Sequence, residues 1–427
     1  MGSDVLQLRK FDFPAPRGGR CDVLILAGEH SGDQQAARML SDALRKKPEL
    51  RVCAFGGSAL ASAGAQLLFD FTSFSVVGLF EVLKNYSFFK SLGNAIVDWI
   101  VKYRPKTVCF VDYPGFNLHI AAELFKRGVS ANAGGNVRLI YYISPQVWAW
   151  KARRRFKMAR LLNSLAVIFP FETNCYADTS LKAEFVGHPF LEDSFSAPVE
   201  YDASGEILLL AGSREIAVGR IFPVMLRTLA LLKGERAAAL YPSAGIKKIL
   251  EENAAKFPEL KGRLRIVDAS ALPLKSKAVM TSSGTMSLAC SLAGIPGAIV
   301  YKANPLTYIL GRMLVKIKYL SIANILLDRP AWREFIQFDA SAAKIAEYMR
   351  GCLGDSARPR FAEYADELKG LLRAEKSHTA ADWLLKNADC GGEKPPRVPP
   401  VRVRRRKSRR TLPKRACRDS GRRGIFC

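Results

Sequence analysis

Ile207-Leu-Leu-Leu-Ala-Gly-Ser-Arg214 is an apolar strand that runs into a turn of small and hydroxyl residues and then opens a helix, and Ala278-Val-Met-Thr-Ser-Ser-Gly-Thr285 repeats the arrangement later in the same half of the chain. At such a turn, small side chains let backbone N–H groups face a ligand. The helix that follows adds unpaired N-terminal donors and the positive end of its dipole. Arg214 supplies a planar fork that grips phosphate oxygens in pairs, which makes a diphosphate the expected tenant. Either turn alone reads equally well as a plain strand-to-helix connection. Two in one half, one of them with Arg, point to a nucleotide or a nucleotide sugar.

Outward from these turns, residues 18–390 alternate short β-rich runs with longer amphipathic stretches, the signature of an α/β fold. In the first half, strands are expected at Asp22–Ala27, Arg51–Ala54, Thr107–Asp112, Arg138–Ile143, Leu165–Phe169 and Glu184–Val186. Each is a continuous apolar run, as parallel strands covered by helices on both faces require. A stretch poor in apolar residues, Ser194–Gly205, reads as a linker, after which strands restart near 207–211, 237–241, 264–267, 277–281 and 297–301. The expected organisation is an N-terminal extension (1–20), a first Rossmann-like domain (21–198), a second with C-terminal helices (199–390) and a basic tail (391–427). Two such domains leave a cleft at the C-terminal ends of their strands, where ligands of these sheets bind.

The 427 residues are 49% hydrophobic, enough for about two or three domains with real cores. The N-terminal residues show no charged-then-apolar signal, so a cytoplasmic protein is expected. Nine cysteines are scattered with no CxxC pair; they read as buried thiols of a reducing compartment, and a metal site is not expected. No run reaches the roughly 18 uninterrupted apolar residues of a transmembrane helix. The net charge is +26. Half of it lies in residues 394–427, where fourteen Lys and Arg face the single acid Asp419 among five prolines, a composition of disorder. Such a tail attracts any polyanion, or is simply a solvated appendage. Further cations interleave with apolar residues in Lys151–Lys157 and Arg312–Lys318, as they do on membrane-surface helices.

The first domain opens with Leu24-Ile-Leu-Ala-Gly-Glu-His-Ser-Gly-Asp33, which has neither the GxGxxG nor the GxxxxGK[ST] spacing, so NAD and ATP are not indicated. It places Glu29, Ser31 and Asp33 at a strand's C-terminal edge, where carboxylates suit sugar hydroxyls or proton transfer; Asp33 alternatively caps a helix. Val111-Asp-Tyr-Pro-Gly-Phe-Asn117 puts Asp112 at the end of another strand, a candidate general base or a turn cap.

Taken in order, nine segments resemble the lipid-A-disaccharide synthase family of inverting glycosyltransferases: Ala27–Asp33, Phe74–Leu83, Val111–Asn117, Tyr142-Ile-Ser-Pro-Gln-Val-Trp-Ala-Trp-Lys151, Phe169–Glu172, Phe185–Pro189, Gly212–Arg214, Ser283–Thr285 and Asn324–Leu327. The resemblance spans about residues 22 to 386. It implies two facing Rossmann-like domains of the GT-B type with an inter-domain cleft. The implied reaction transfers 2,3-diacylglucosamine from its UDP-activated form to the 6-hydroxyl of diacylglucosamine 1-phosphate, forming the β-1,6-linked lipid A disaccharide without metal or cofactor. Asp112 would be the base, with Glu29 in reserve. Arg214, Ser213 and the turn of Ser283, Gly284 and Thr285 would hold the leaving diphosphate, and Asn324, Glu334 and Gln337 would help hold the donor. Val76, Val77, Leu79, Phe80, Val82 and Leu83 would form the acceptor and membrane-docking element. Read without the family, they suit the buried face of an ordinary helix equally well. The expected partners are these two substrates and the cytoplasmic face of a Gram-negative inner membrane, with a homodimer left open and nucleic acid met only non-specifically by the tail.

The chain departs from the family pattern at Ala289, where an acid is typical, at Ala211, where proline precedes the Gly-Ser-Arg turn, and at Gly115, in place of a second acid. Competing readings are another UDP-GlcNAc enzyme of the same fold (a 2-epimerase or the peptidoglycan lipid-intermediate transferase), a nucleic-acid binder using the tail, and an inactive homologue. The first two enzymes leave Trp148-Ala-Trp150 unexplained.

Overall fold

The computed structural model describes residues 11–71, 86–192, 195–271, 273–305, 308–309, 317–373, 375 and 378–389. The segment 76–83, most of 312–318 and the tail lie outside them. Seven parallel strands form the first sheet: β1 (Val23–Ala27), β2 (Val52–Gly56), β3 (Gln66–Asp70), β4 (Thr107–Val111), β5 (Arg138–Tyr142), β6 (Ser164–Val167) and β7 (Ala183–Phe185), in the spatial order β3-β2-β1-β4-β5-β6-β7. Six more form the second: β8 (Val199–Leu210), β9 (Ala237–Tyr241), β10 (Leu264–Asp268), β11 (Leu274–Thr281), β12 (Gly297–Tyr301) and β13 (Arg333–Ile336), in the order β10-β9-β8-β11-β12-β13. The central strands β1, β2 and β4 are buried along their whole length, which is why they read as unbroken apolar runs.

The helices of the first domain are α1 (His30–Lys46), α2 (Ser58–Ser62), α3 (Tyr86–Tyr103), α4 (Pro114–Lys126) and α5 (Arg154–Leu161). Those that follow are α6 (Glu215–Leu231), α7 (Ala244–Ala254), α8 (Thr285–Leu292), α9 (Ile322–Leu327), α10 (Ala342–Cys352), α11 (Ala357–Leu372) and α12 (Ala380–Asp389). Helix α1 shows how they pack: Ala36, Met39, Leu40 and Ala43 recur at helical spacing and are buried against Val23, Ile25 and Val52 of the sheet.

Three features differ from the sequence expectation. β3 and β13 were not anticipated; both are edge strands with half-exposed, partly polar faces, so they lack the apolar run that marks a central strand. The supposed linker is partly strand: β8 starts at Val199, pairs Val199 with Leu274 and Glu200 with Lys275, and passes an irregular, solvent-facing stretch before its buried end. Ser276 holds that irregularity, its hydroxyl donating to the carbonyls of Glu206 (2.9 Å) and Ala278 (2.8 Å). Finally, α12 packs on the first sheet, not the second. Its Trp383 indole donates to Ser164 Oγ at 2.8 Å, Thr107 Oγ1 donates to the Asn387 carbonyl at 3.1 Å, and Ala380, Leu384 and Ala388 join the core around α1. The chain therefore crosses between the domains twice, and the first crossing is tied to the second by the His188 N–H, which donates to the Leu372 carbonyl at 2.9 Å.

Candidate active site

At the C-terminal end of β4 the backbone turns through two consecutive non-glycine residues in the left-handed region, Asp112 (φ 45°) and Tyr113 (φ 46°). Each costs about 1–3 kcal/mol and persists only where the surroundings enforce it. Here the enforcement is visible: Asp112 N–H donates to the Tyr142 carbonyl (3.1 Å), Asn117 Nδ2 donates to the carbonyls of Val111 (3.2 Å) and Asp112 (2.8 Å), and the Tyr141 hydroxyl also donates to the Asp112 carbonyl. All but the Val111 bond use the main chain of Asp112. Its carboxyl group, half-buried, is pushed up to about 6 by burial and by the nearby charge of Glu29, against an opposing hydrogen bond from the Tyr113 amide.

Glu29 is the exposed N-cap residue of α1. Gly28 precedes it because nothing larger fits: a Cβ there would lie 2.5 Å from Tyr113 Cδ1 and 2.8 Å from Phe71 Cε1. Asp33, by contrast, is a cap. Buried inside α1, its carboxylate accepts from the amides of Gly57 (2.7 Å) and Ala59 (3.0 Å) at the start of α2. Phe71, Tyr113, Phe116 and Phe89 form a continuous aromatic wall behind Asp112, with ring centroids 5.2–6.3 Å apart. Phe71 and Phe89 flank the segment that contains residues 76–83, so the chain leaves the described residues beside Tyr113 and returns to them close to Phe116.

In the second domain, Gly212 (φ 112°) lets the chain leave β8 in a conformation that side-chain-bearing residues rarely adopt. Arg214 then caps α6, and its exposed guanidinium makes no hydrogen bond or ion pair among the described residues. Ser213 is exposed beside it. The two small-residue turns are neighbours: Ser282 N–H donates to the Leu210 carbonyl at 2.8 Å, and a Cβ on Gly212 would lie 3.1 Å from Ser282 Oγ. Of the three expected backbone donors, the Gly284 N–H is already engaged by Ser287 Oγ (3.2 Å), and the Ser283 hydroxyl donates to the Leu320 carbonyl (2.8 Å). Thr285, the first residue of α8, is exposed.

Asn324, Glu334 and Gln337, expected to hold the donor, spend their polar atoms inside the protein. Asn324 is fully buried, giving Nδ2 to the Trp332 carbonyl (2.7 Å) and to Glu334 Oε1 (2.9 Å) and taking the Trp332 amide on Oδ1 (3.0 Å). Glu334 also accepts from the amides of Leu320 (2.9 Å) and Ser321 (2.9 Å). Gln337, itself at φ 54°, exchanges two bonds with the backbone of Ala303. Glu334 thus fixes Leu320, and Leu320 fixes Ser283. Asn324 and Glu334 thereby buttress the Ser283 turn from behind.

Residues with no sequence-based role also gather here. The Tyr176 hydroxyl shares a 2.8 Å hydrogen bond with Ser144 Oγ in the Ser-Pro-Gln-Val-Trp run, and Glu172, buried and bonded by the Phe169 amide at 3.2 Å, is pushed up to about 8 by burial. The Phe169-Pro-Phe-Glu172 and Ser-Pro-Gln-Val-Trp motifs contained Glu172 and Ser144 without showing that they turn inward, and Tyr176 lies outside both.

The sequence pattern of the family described as lipid-A-disaccharide synthetase matches residues 23–383. Lipid-A-disaccharide synthase 1 of Legionella pneumophila subsp. pneumophila is 32% identical over 376 residues, 85% of this chain and 95% of the relative. The lipid-A-disaccharide synthase of Geobacter metallireducens is 33% identical over 349 residues, 78% of this chain and 88% of the relative. Among solved structures, a putative UDP-N-acetylglucosamine 2-epimerase from Listeria monocytogenes superposes with a TM-score of 0.56 at 12% identity, over 86% of this chain and 95% of the other. The glycotransferase of kitacinnamycin does so with a TM-score of 0.54 at 11% identity, over 86% and 98%. These two likenesses establish the two-domain glycosyltransferase fold alone.

Proposed function

This chain belongs to the lipid-A-disaccharide synthetase family and is a glycosyltransferase of lipid A disaccharide formation, and we propose that it moves 2,3-diacylglucosamine from its UDP form to the 6-hydroxyl of diacylglucosamine 1-phosphate with Asp112 as general base. The observation that carries the base assignment is the Asp112 turn: a carboxyl group raised to about 6, on a backbone strained and pinned by Tyr141, Tyr142 and Asn117, at the ligand-binding edge of the sheet. Such a carboxylate is ionised at neutral pH yet more basic than an ordinary aspartate, which suits it to take a hydroxyl proton in the transition state. Glu29 tunes it by charge.

As the acceptor oxygen attacks, positive charge develops at the donor's anomeric carbon and negative charge on the departing diphosphate. The unpaired Arg214 fork meets that diphosphate together with the exposed Ser213 and Thr285 turns, holding charge where some transferases place a metal. Glu334, bonded by Asn324, acts by setting the position of the Ser283 turn through Leu320.

The same reading makes the protein peripheral on the membrane that holds its substrates. Among the described residues no helix is long and apolar enough to cross a bilayer. Supporting attachment are the apolar composition of residues 76–83, the basic tail, and an exposed surface on which Trp150 and Phe156, each 48% exposed, carry Lys151 at 4.4 Å and Arg155 at 4.4 Å over their rings. Incubating the purified protein with UDP-diacylglucosamine and diacylglucosamine 1-phosphate tests the reaction: equimolar disaccharide and UDP are expected, and release of UDP without disaccharide would overturn it.

A further inference from the structure

Five cations crowd into Lys151-Ala-Arg-Arg-Arg-Phe-Lys157, directly after Trp148-Ala-Trp150. They are not alike. Arg155 is neutralised by a two-pronged pair with Asp178, at 2.7 and 2.6 Å. Arg154, half-buried in the first turn of α5, makes no side-chain hydrogen bond or ion pair among the described residues; its guanidinium faces the Trp150 ring at 5.6 Å, on which Lys151 Nζ also sits. Arginine does not shed its proton, so an unpaired guanidinium is a standing partner for an anion.

Its place in the fold says which anion. Arg154 stands one helical turn before Met158 on α5, on the same face of the helix, and the Met158 sulfur accepts from the Tyr176 hydroxyl at 3.4 Å. Tyr141 is the residue whose hydroxyl bonds the Asp112 carbonyl, and Tyr176 is bonded to Ser144 in the Ser-Pro-Gln-Val-Trp run. Ser144 follows the end of β5, the parallel neighbour of β4, so the Tyr176 contact brings the helix that carries the unpaired cation to the same end of the sheet as the proposed base. In the proposed acceptor, the hydroxyl that must reach Asp112 and the anomeric phosphate stand at opposite ends of one hexose. Arg214, in the other domain, is committed to the donor's diphosphate. We propose that Arg154, with Lys151 on the Trp150 ring, forms the subsite for the phosphate monoester of the lipid acceptor. The inference rests on the transfer reaction proposed above and adds the group that selects a phosphorylated acceptor over a neutral one. A planar fork beside an indole face is suited to that selection, because it pairs with phosphate oxygens while the ring covers the apolar face of the sugar.

The test is steady-state kinetics in detergent with diacylglucosamine 1-phosphate and with the same lipid bearing a free 1-hydroxyl. Wild type should prefer the phosphorylated acceptor. Arg154→Ala should raise its KM by about 10–100-fold, the scale of one lost charge-assisted pair, while leaving the KM for the neutral acceptor and for the donor within about twofold. Arg154→Lys should recover part of the preference and, with its smaller change, keeps the test decisive if the alanine variant melts at a lower temperature. Equal losses on both acceptors, or undiminished preference in Arg154→Ala, would overturn the subsite. Turnover by wild type without any preference would overturn it too while leaving the transfer reaction standing, whereas no turnover of either acceptor would remove both. A parallel measurement on vesicles of anionic phospholipid, with no acceptor present, separates the other phosphate source: if Arg154→Ala weakens vesicle binding and leaves acceptor preference intact, the residue serves the bilayer and the proposal fails.

Discussion

Replacing Asp112 with Asn should produce two opposite effects, and their combination is what the turn geometry predicts. A carboxamide still accepts a hydrogen bond but takes no proton, so kcat should fall by about two to four orders of magnitude, roughly 3–5 kcal/mol of barrier. The fold should survive, since the bonds of Tyr141, Asn117 and the Tyr142 carbonyl to residue 112 run to its main chain, while its side chain accepts only from the adjacent Tyr113 amide, and Asn tolerates the left-handed conformation as well as Asp does. Stability should in fact rise at neutral pH. The carboxyl group is raised from 3.8 to about 6 in the folded state. A raised acid binds its proton more tightly when folded, so its relative stability is full below the unfolded value and declines as pH climbs through the folded one. At pH 7.5 the ionised side chain therefore costs the fold at most about 3 kcal/mol, less whatever solvent screening the half-exposed site provides, and Asn removes that cost. Thermal melts at pH 5 and pH 7.5 beside single-turnover kinetics read both effects. A variant with near-normal rate refutes the base assignment, and one that is slow but destabilised at pH 7.5 shows that the carboxylate is a structural partner.

Glu29→Gln removes the like charge that helps raise Asp112, so the acid limb of kcat/KM, expected near pH 6, should move to lower pH; a limb that stays in place would show that the two carboxylates do not interact. Arg214→Lys keeps the charge but loses the two-donor grip, and UDP affinity should fall by about tenfold. Unchanged UDP affinity, or wild-type activity that collapses with a chelator, would count against its role. Deleting 394–427 should weaken binding to anionic vesicles chiefly at low salt, since each cation adds roughly 1 kcal/mol that ions screen, whereas Ser at Val77, Leu79 and Phe80 together should weaken it at every salt concentration. If that triple variant unfolds, those residues belong to a core and the docking reading fails.

The central strands and both strand-to-helix turns were legible because their physical cause is local. A strand buried on two faces must be apolar throughout, and a turn that presents its backbone must be small. Edge strands β3 and β13 escape that rule, as their half-solvated faces admit Gln66, Asp70, Arg333 and Glu334. The polar positions Asn324, Glu334 and Gln337 could be picked out by type and order, but not by direction. Whether an amide faces a cleft or a carbonyl 34 residues away, as between Gln337 and Ala303, depends on tertiary packing that no short window contains. Tyr141 is the converse case: it read as one more residue of a buried strand, and only the fold shows its hydroxyl reaching across to the Asp112 carbonyl.

The departures from the family pattern separate by the room around them. Gly115 lies in the exposed first turn of α4, and nothing comes within 4 Å of a Cβ placed there. The missing acid at that position is a lost side chain and nothing else, beside an Asp112 whose pKa a second carboxylate would raise further. Ala289 is different. It is buried in α8 among Val199, Leu208, Leu210 and Val279, so its small size is part of the packing between helix and sheet. A glutamate there would need a polar outlet that this apolar cluster does not offer, and it would force its neighbours apart. The turn at Gly115 thus keeps open space, while the position of the family acid at Ala289 is closed in by the core. Any difference in donor recognition between this chain and its relatives should therefore originate on the second domain.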